Sequence, residues 1–303
     1  MSRSRIPVNG VLLLDKPKGI SSNFALTLAK RKFNARKAGH TGTLDPFATG
    51  LLPLCFGEAT KFAQDLLNAD KTYEATAHLG IRTTTGDTEG EVVAVQNPSV
   101  VTRDQIDEIL GRFVGEILQI PPMYSALKRD GKPLYEYARA GIEVERNARP
   151  VTIYDLRILS FSWPCLSFRV TCSKGTYIRT LGEDIGHALG CGAHLSSLRR
   201  TKVGTLDIDD ANSLADIDHA ENPLTEPFLK PVDYLLQNFS PVFLSDDQAR
   251  RFRHGQRLSA EKEKLDLSGA SENVRVYELG SRTLLGTATI VRGSLVPQRL
   301  LAL

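Results

Sequence analysis

The hydrophobic residues of this chain recur at two spacings, which predict alternating helices and strands. Apolar side chains follow a helical spacing between residues 24 and 29, directly after the helix-capping pair Ser21-Ser22, and again between residues 106 and 113. A third helix is predicted from Tyr177 to Leu189. These helices are short enough to lie against a sheet.

Strand-like segments separate these helices. Some alternate apolar and polar residues and others are short apolar runs, at residues 11–14, 73–79, 92–94, 151–161 and 166–172. A turn-like segment, Thr83-Thr84-Thr85-Gly86-Asp87, precedes one of them. This order predicts an α+β fold: a mixed, mostly antiparallel sheet flanked by helices.

The pattern changes near Pro241. From there, short apolar runs at residues 274–279 and 284–291 are separated by glycines, which predicts a small β-rich unit. A chain of 303 residues has room for one large domain and one small one. We therefore expect a first domain at residues 1–238 and a second at 239–303.

Charge is unevenly distributed, although the formal net charge is only +3. Basic residues gather in four segments: residues 30–37, 128–149, 199–202 and 250–257. Acidic residues collect between Asp207 and Glu226, where there is no Lys or Arg. Such segregation suits a protein that binds a polyanion with one face, because phosphate contacts supply most sequence-independent affinity. Ordinary solvated helix faces remain an equal alternative.

Neither a membrane span nor a metal site is predicted. The first apolar run, residues 11–14, is too short for a signal-peptide core or a membrane span, so we expect a cytoplasmic protein. The four cysteines form no CxxC pair and no Cys/His cluster. We interpret them as buried thiols.

One carboxylate stands in an unusual loop. Asp45 precedes Pro46, which disfavours helical backbone at the residue before it, and the glycines at 39, 42 and 50 permit turns on both sides. An isolated sequence of this kind is usually a surface turn. Here the apolar residues 51–56 follow at once, so we expect Asp45 at the wall of a cleft.

Four segments, in order, resemble the TruB family of tRNA pseudouridine synthases. They are GVLLLDKPKGISS at 10–22, GHTGTLDPFATGLL at 39–52, KTYEA at 71–75 and SKGTYIRTL at 173–181. The resemblance implies a pseudouridine synthase fold and isomerisation of the T-loop uridine of tRNA at position 55. Residues 284–300 resemble, more loosely, a PUA-type RNA-binding module.

The resemblance also implies catalytic residues. It assigns Asp45 as the catalytic carboxylate, Tyr73 as the residue that stacks on the base and helps to move its proton, and Arg179 as the cation beside Asp45. A carboxylate in a cleft needs such a cation to remain ionised. We expect Arg179 to hold it through two parallel hydrogen bonds.

Four further residues are expected to bind substrate, three of them by the same resemblance and Lys16, with the basic segments after Lys128, as a phosphate contact. His40 takes the place of the extruded base, Lys16 holds a phosphate, and Tyr177 and Leu198 contact the base. Extrusion follows from the chemistry, because a uridine inside a folded loop does not reach a buried aspartate.

The expected reaction needs no cofactor and no metal, and no complete nucleotide-binding motif occurs in the sequence. The expected partner is the T arm of tRNA. We expect no membrane, no obligatory protein partner and a monomer. Two alternatives stay open: a nucleoside hydrolase or glycosidase, which normally uses a second carboxylic acid, and an RNA-binding or RNA-folding module without catalysis.

Overall fold

The computed structural model describes residues 4–96 and 101–302 of the chain. Its α-helices are α1 Ser22–Lys32, α2 Ala63–Leu67, α3 Arg103–Phe113, α4 Leu134–Arg139, α5 Ile178–Ala188, α6 Leu214–His219, α7 Asp246–Arg253 and α8 Ala260–Glu263. Three 3₁₀ turns lie at Gly57–Lys61, Ile208–Asp210 and Val232–Leu236.

The strands fall into two groups along the chain. The first group comprises β1 Gly10–Lys16, β2 Ala38–His40, β3 Thr49–Phe56, β4 Lys71–Leu79, β5 Ile81–Thr83, β6 Val92–Val95, β7 Gly115–Gln119, β8 Lys128–Arg129, β9 Lys132–Pro133, β10 Arg149–Ser162, β11 Cys165–Cys172, β12 Ala193–Val203, β13 Leu206–Asp207, β14 Asn212–Ser213 and β15 Leu229–Lys230. The second comprises β16 Ser240–Leu244, β17 Leu258–Ser259, β18 Asn273–Glu278, β19 Leu284–Val291 and β20 Ser294–Leu300.

The larger sheet has the order β14-β1-β3-β12-β4-β11-β10-β7, with β13, β15 and β2 pairing outside this path. Most neighbours are antiparallel, whereas β12 runs parallel to β3 and β14 parallel to β1. The predicted α+β fold with a mostly antiparallel sheet is confirmed. Strands β3, β12 and β4 lie side by side at its centre. The sequence pattern predicts β4 from Tyr73 onward, but it predicts only buried structure at residues 51–56 and no strand at residues 193–203.

Helix α1 begins where the sequence predicts it. The Ser21 hydroxyl accepts a hydrogen bond from the backbone N–H of Phe24, at 3.1 Å, and so caps the helix. The buried face differs from the one expected, because Ala25 and Ala29 face the core while Phe24 is 51 % exposed. Small residues allow this helix to lie close to the sheet.

Helix α5 packs closely against β12 because two of its residues are glycines. A Cβ at Gly182 would lie 2.7 Å from the Leu195 side chain, and one at Gly186 would lie 2.5 Å from the Cβ of Ala193. Real Cβ atoms do not approach other atoms so closely. The two glycines therefore fix the distance between α5 and the sheet, and with it the position of the first turn of α5.

The second group of strands forms its own sheet, in the order β16-β18-β19-β20-β17, which confirms the predicted β-rich C-terminal unit. Its Tyr277 and Leu284 share an apolar cluster with Val11 and Leu13 of β1. The Tyr277 hydroxyl also donates to the carboxylate of Asp233, at 2.6 Å. The boundary between residues 238 and 239 stays a prediction.

The cysteines are not all buried. Cys55, Cys172 and Cys191 are buried, as expected, whereas Cys165 is exposed because it begins β11 at the end of a hairpin. Within residues 4–96 and 101–302, no helix is both long and apolar enough to cross a membrane.

Gly50 is required where β3 and β12 meet. It has a φ of +104°, and a Cβ there would lie 2.3 Å from the carbonyl oxygen and 2.7 Å from the nitrogen of Arg200. We expect Gly50→Ala to lower the free energy of unfolding by about 3 kcal/mol, because a strained backbone adds to a backbone clash. Equilibrium denaturation measures this change.

Gly190→Ala is the matched control. Gly190 also has a left-handed φ, +75°, but a Cβ there would meet nothing within 4 Å. We expect it to cost only about 1 kcal/mol. Equal losses in the two variants would contradict the importance of the close strand contact.

Candidate active site

The loop that carries Asp45 is fixed on both sides. The Ser22 hydroxyl accepts from the N–H of Leu44 at 2.8 Å and donates to its carbonyl at 2.9 Å. The N–H of Ala48 donates to the carbonyl of Asp45, at 3.1 Å, so that Pro46 occupies the second position of a tight turn. Asp45 is therefore part of an ordered turn, with its side chain 37 % exposed.

Arg179 lies in the first turn of α5 and connects three segments. Its Nε donates to Oδ2 of Asp45 at 2.8 Å, Nη1 donates to the carbonyl of Thr85 at 2.7 Å, and Nη2 donates to the carbonyl of Tyr124 at 2.7 Å. The side chain is only 4 % exposed. The expectation of two parallel hydrogen bonds to Asp45 is wrong, because the guanidinium divides its nitrogens between the carboxylate and two backbone carbonyls.

A second carboxylate faces the same guanidinium. Oδ2 of Asp87 lies 3.5 Å from Nε of Arg179, and its side chain is 4 % exposed. Oδ1 accepts from the Thr85 hydroxyl at 2.6 Å and from the N–H of Glu89 at 2.9 Å. Sequence reasoning saw only a turn here. The sequence shows an acidic residue, Asp87, directly after a glycine, but this pair is common in ordinary turns and does not by itself indicate a functional site.

Several charges act on the Asp45 carboxyl. Burial is the largest influence and raises its pKa above the ordinary value. Arg179 lowers that pKa, Asp87 raises it, and Lys16 lowers it. Asp45 is therefore ionised at pH values above this raised pKa and becomes protonated as the pH falls through it.

Tyr73 and Leu198 lie on the two central strands. Tyr73 is on β4, opposite Arg200 of β12, and Leu198 is opposite Ala75. Burial raises the pKa of the Tyr73 phenol, Arg200 lowers it, and Asp45 raises it. The structure thus brings Tyr73 into the electrostatic reach of Asp45, and Leu198, 6 % exposed, lies two residues before Arg200 on the same strand.

Tyr177 precedes α5 and is held by a buried amide. Gln119, which is 2 % exposed, accepts from the N–H of Tyr177 at 2.7 Å and donates to its carbonyl at 3.1 Å. Burial raises the pKa of the Tyr177 phenol, and the Ser125 hydroxyl lowers it. Gln119 was missed by sequence reasoning, since a lone glutamine in a strand carries no motif.

Lys16 does not fit the predicted phosphate contact. Its side chain is fully buried, and its ammonium donates to the carbonyls of Pro17 and Ile20, at 2.9 and 2.8 Å, with that of Pro46 at 3.4 Å. Burial lowers its pKa to about 8, and Asp45 raises it. Lys16 is instead a cation beneath the Asp45 turn.

His40 lies on β2, half-buried, ahead of the Asp45 turn. Its Nδ1 atom is buried and has no hydrogen-bond partner among the residues that the structure describes. Burial lowers the pKa of the imidazole, and the nearby Arg200 lowers it further. His40 is therefore neutral at neutral pH.

The basic segment at residues 199–202 is not a free basic surface. Arg200 is 1 % exposed, Arg199 binds Asp15 through two hydrogen bonds of 3.0 and 2.7 Å, and Lys202 pairs with Asp207 at 2.8 Å. Strand alternation sends one arginine inward and the other to an acidic partner. The segment 128–149, by contrast, exposes most of its basic side chains.

Family models match the chain along most of its length. The N-terminal domain of the TruB family pseudouridylate synthases matches residues 30–178, and a tRNA pseudouridylate synthase B C-terminal domain matches residues 179–237. A further C-terminal model, of pseudouridine synthase II TruB, matches residues 240–301. The fold and the matches define the class, which is that of the pseudouridylate synthases.

Curated relatives agree. A tRNA pseudouridine synthase B of Burkholderia lata is 58 % identical over 301 residues, covering 98 % of this chain and 92 % of the relative. One from Ralstonia nicotianae is 59 % identical over 307 residues, covering 99 % and 96 %. The chain belongs to the TruB family.

Solved structures show the same fold. A crystal structure of a Cbf5-Nop10-Gar1 complex matches with a TM-score of 0.72 and 28 % identity, covering 96 % of this chain and 84 % of that one. An H/ACA RNP bound to a substrate RNA containing 2′-deoxyuridine matches with a TM-score of 0.70 and 25 % identity, with the same two coverages.

Arg179→Lys tests the contacts of the guanidinium. Lysine keeps the charge but does not donate in three fixed directions, so Asp45 and the two loop carbonyls lose their common partner. We expect the single-turnover rate of pseudouridine formation to fall by about tenfold or more, with tRNA affinity nearly unchanged. Arg169→Lys, at the Arg169–Glu74 pair on the opposite sheet face, is the control. A similarly small loss of rate in Arg179→Lys and Arg169→Lys would contradict the role of Arg179 as the residue that positions Asp45.

Asp87→Asn tests the electrostatics of the site. Because the Asp87 charge raises the pKa of Asp45, its removal lowers that pKa. We therefore expect the acid limb of the single-turnover pH–rate profile to move to lower pH, where the wild type has already lost its ionised aspartate. Asp104→Asn, on the surface of α3, is the control. An acid limb that stays in place or moves to higher pH would overturn this interpretation.

Proposed function

We propose that this protein isomerises the T-loop uridine of tRNA, at position 55, to pseudouridine. The single observation that carries this proposal is the Asp45–Arg179 pair, held in an ordered turn within electrostatic reach of Tyr73. Membership of the TruB family supports the reaction. The names of the relatives, tRNA pseudouridine synthase B, support tRNA as the substrate.

The reaction rearranges one nucleotide. The bond between N1 of uracil and C1′ of the sugar breaks, the base rotates, and a bond forms between C5 and C1′. The C5 proton leaves and N1 gains a proton, so the composition does not change and no oxidant or energy source is needed. Asp45 acts as a nucleophile at the sugar or as the base that removes its 2′ proton. Both roles require the ionised form, which Arg179 and Lys16 favour.

The remaining site residues receive roles as part of the proposal. Tyr73 stacks on the extruded base and helps to move the C5 proton, while Tyr177 and Leu198 contact the base. The strand register supports this assignment, because Tyr73 lies opposite Arg200 of β12, two residues beyond Leu198. Tyr177 starts the helix that carries Arg179.

Base extrusion needs a substitute for the lost stacking, which costs a few kcal/mol. We propose that His40 occupies the vacated position. Its neutral imidazole suits this role, because it is less strongly hydrated than an imidazolium and presents a flat ring. The buried and unpartnered Nδ1 atom is consistent with a group that completes its hydrogen bonding only with RNA.

RNA is expected to contact the exposed basic segments at 30–37 and 128–149, through phosphates rather than through base sequence. The domain at 239–303 is proposed as a PUA-like RNA-binding unit. We further propose a cytoplasmic monomer that works without a cofactor or an obligatory protein partner. The acidic stretch from 207 to 226 lies mostly exposed, and its Asp218 is 3.9 Å from the ammonium of Lys32 in the first basic segment.

A hydrolase is the less favoured alternative. It would need a second acid to protonate the leaving group. Asp87, which also faces Arg179, is one such candidate, but it is 3 % exposed and its Oδ1 atom already accepts from Thr85 and Glu89. The mass of the RNA separates the two reactions, because isomerisation conserves it and hydrolysis releases uracil.

The decisive experiment incubates the purified chain with unmodified tRNA, without added metal or nucleotide, and maps pseudouridine. We expect product only at the T-loop uridine. Asp45→Asn should abolish product in single-turnover assays while leaving tRNA affinity within about tenfold, because phosphate contacts dominate binding. Appreciable product from Asp45→Asn, or a loss of RNA mass with the wild type, would contradict the proposal.

A further inference from the structure

Arg200 is more deeply buried than any other arginine that the structure describes, with an exposed fraction of 1 %. A guanidinium does not lose its proton in a protein, so its burial destabilises the folded state unless other groups offset the lost hydration. No carboxylate lies within 4.0 Å of it among residues 4–96 and 101–302. Arg179, the other buried arginine of the site, has two acidic neighbours.

The partners of Arg200 are two backbone carbonyls at either end of the Asp45 turn. Nε donates to the carbonyl of Leu51 at 2.8 Å, and Nη2 donates to the carbonyl of Gly42 at 3.1 Å. Gly42 precedes the aspartate and Leu51 follows it. The planar guanidinium therefore joins the start and the end of the segment that presents Asp45.

The same side chain faces the base-binding strand. Arg200 is opposite Tyr73 of β4 and opposite Gly50 of β3 in the strand register. Its guanidinium lowers the pKa of the Tyr73 phenol, whose other charged or titratable neighbours are Cys172 and Asp45. The Arg200 guanidinium thus binds the backbone on both sides of Asp45 and also lowers the pKa of the Tyr73 hydroxyl.

We propose that Arg200 is a positioning residue for catalysis: it holds the Asp45 turn and the Tyr73 hydroxyl in one fixed arrangement, and its charge stabilises negative charge on the phenol oxygen. This proposal rests on the proposed function, since it concerns a tyrosine that moves a proton. The phenol gives its own proton to N1 of the detached base and becomes a phenolate, which then removes the C5 proton and returns to the phenol, so that one proton is lost from C5 and one is gained at N1. A fixed cation beside that oxygen favours the charged form that the transfer requires.

Two substitutions separate position from charge. Arg200→Lys keeps the charge but loses the planar fork that reaches two carbonyls at once, whereas Arg200→Gln loses the charge as well. Arg169→Gln is the control, because Arg169 lies on the neighbouring β11 and pairs with Glu74 on the opposite face of the sheet. Unfolding curves and tRNA binding are measured for all three variants, so that rates refer to folded, saturated enzyme.

The first readout is the single-turnover rate at saturating tRNA. We expect both Arg200 variants to lose about tenfold or more, with dissociation constants for tRNA within about threefold of the wild type, because a displaced carboxylate costs rate rather than affinity. Arg169→Gln should keep the wild-type rate. Arg200 variants that are less stable but keep the wild-type rate when folded would overturn the proposal, since that is the result of a purely structural role.

The second readout needs no turnover. The phenol of Tyr73 is titrated by NMR in protein carrying tyrosine labelled with ¹³C at Cζ, with Tyr73→Phe to assign the signal. We expect a higher phenol pKa in Arg200→Gln than in wild type, and a value close to wild type in Arg200→Lys. An unchanged pKa of the Tyr73 phenol in Arg200→Gln would reject the proposal that the Arg200 charge stabilises negative charge on the phenol oxygen. A wild-type chain that makes no pseudouridine but shows this shift would refute the proposed function and leave the Arg200–Tyr73 contact standing.

Discussion

The site depends on keeping one half-buried carboxylate, that of Asp45, ionised beside a buried guanidinium. Burial raises the pKa of Asp45, so its charge has to be offset by cations held nearby. Arg179 supplies a direct hydrogen bond, and Lys16 supplies a second positive charge beneath the turn. The backbone carbonyls that surround both cations fix their positions. The fold therefore supplies both the positive charges that keep Asp45 ionised and the backbone contacts that hold those charges in place, and catalysis needs both.

Strand pairing brings these groups into one place. Strands β3, β12 and β4 are neighbours in the sheet, although β12 is more than a hundred residues from β4 along the chain. Gly50 permits the close approach of β12, and the glycines of α5 set the distance of Arg179 from the same strand. Arg200 and Tyr73 then face each other across the ladder. The chemistry is concentrated where β3, β12 and β4 approach one another closely.

Arg179 and Asp87 have opposite effects on the pKa of Asp45, so both determine the pH at which Asp45 becomes ionised. Asp45 receives the Nε hydrogen bond, while Asp87 stands 3.5 Å from the same nitrogen and raises the pKa of Asp45. Asp87 also anchors its own loop through Thr85 and Glu89. It therefore positions Arg179 at some electrostatic cost to Asp45. Because Arg179 interacts with both Asp45 and Asp87, its guanidinium does not rotate out of position.

The sequence by itself determined helices α1, α3 and α5, several strands of the larger sheet, the β-rich C-terminal unit and, through four motifs, Asp45, Tyr73 and Arg179 as candidates. These depend on local periodicity and on short spacings, which a single sequence displays. Only the tertiary structure decided that Lys16 and Arg200 point inward, that Arg179 shares its nitrogens with two carbonyls, and that Asp87 joins the site. Each of these depends on which strands become neighbours and on which face of a strand is covered. Strand pairing and the covering of a strand face are determined by residues far apart in the chain, so the local sequence pattern does not predict them.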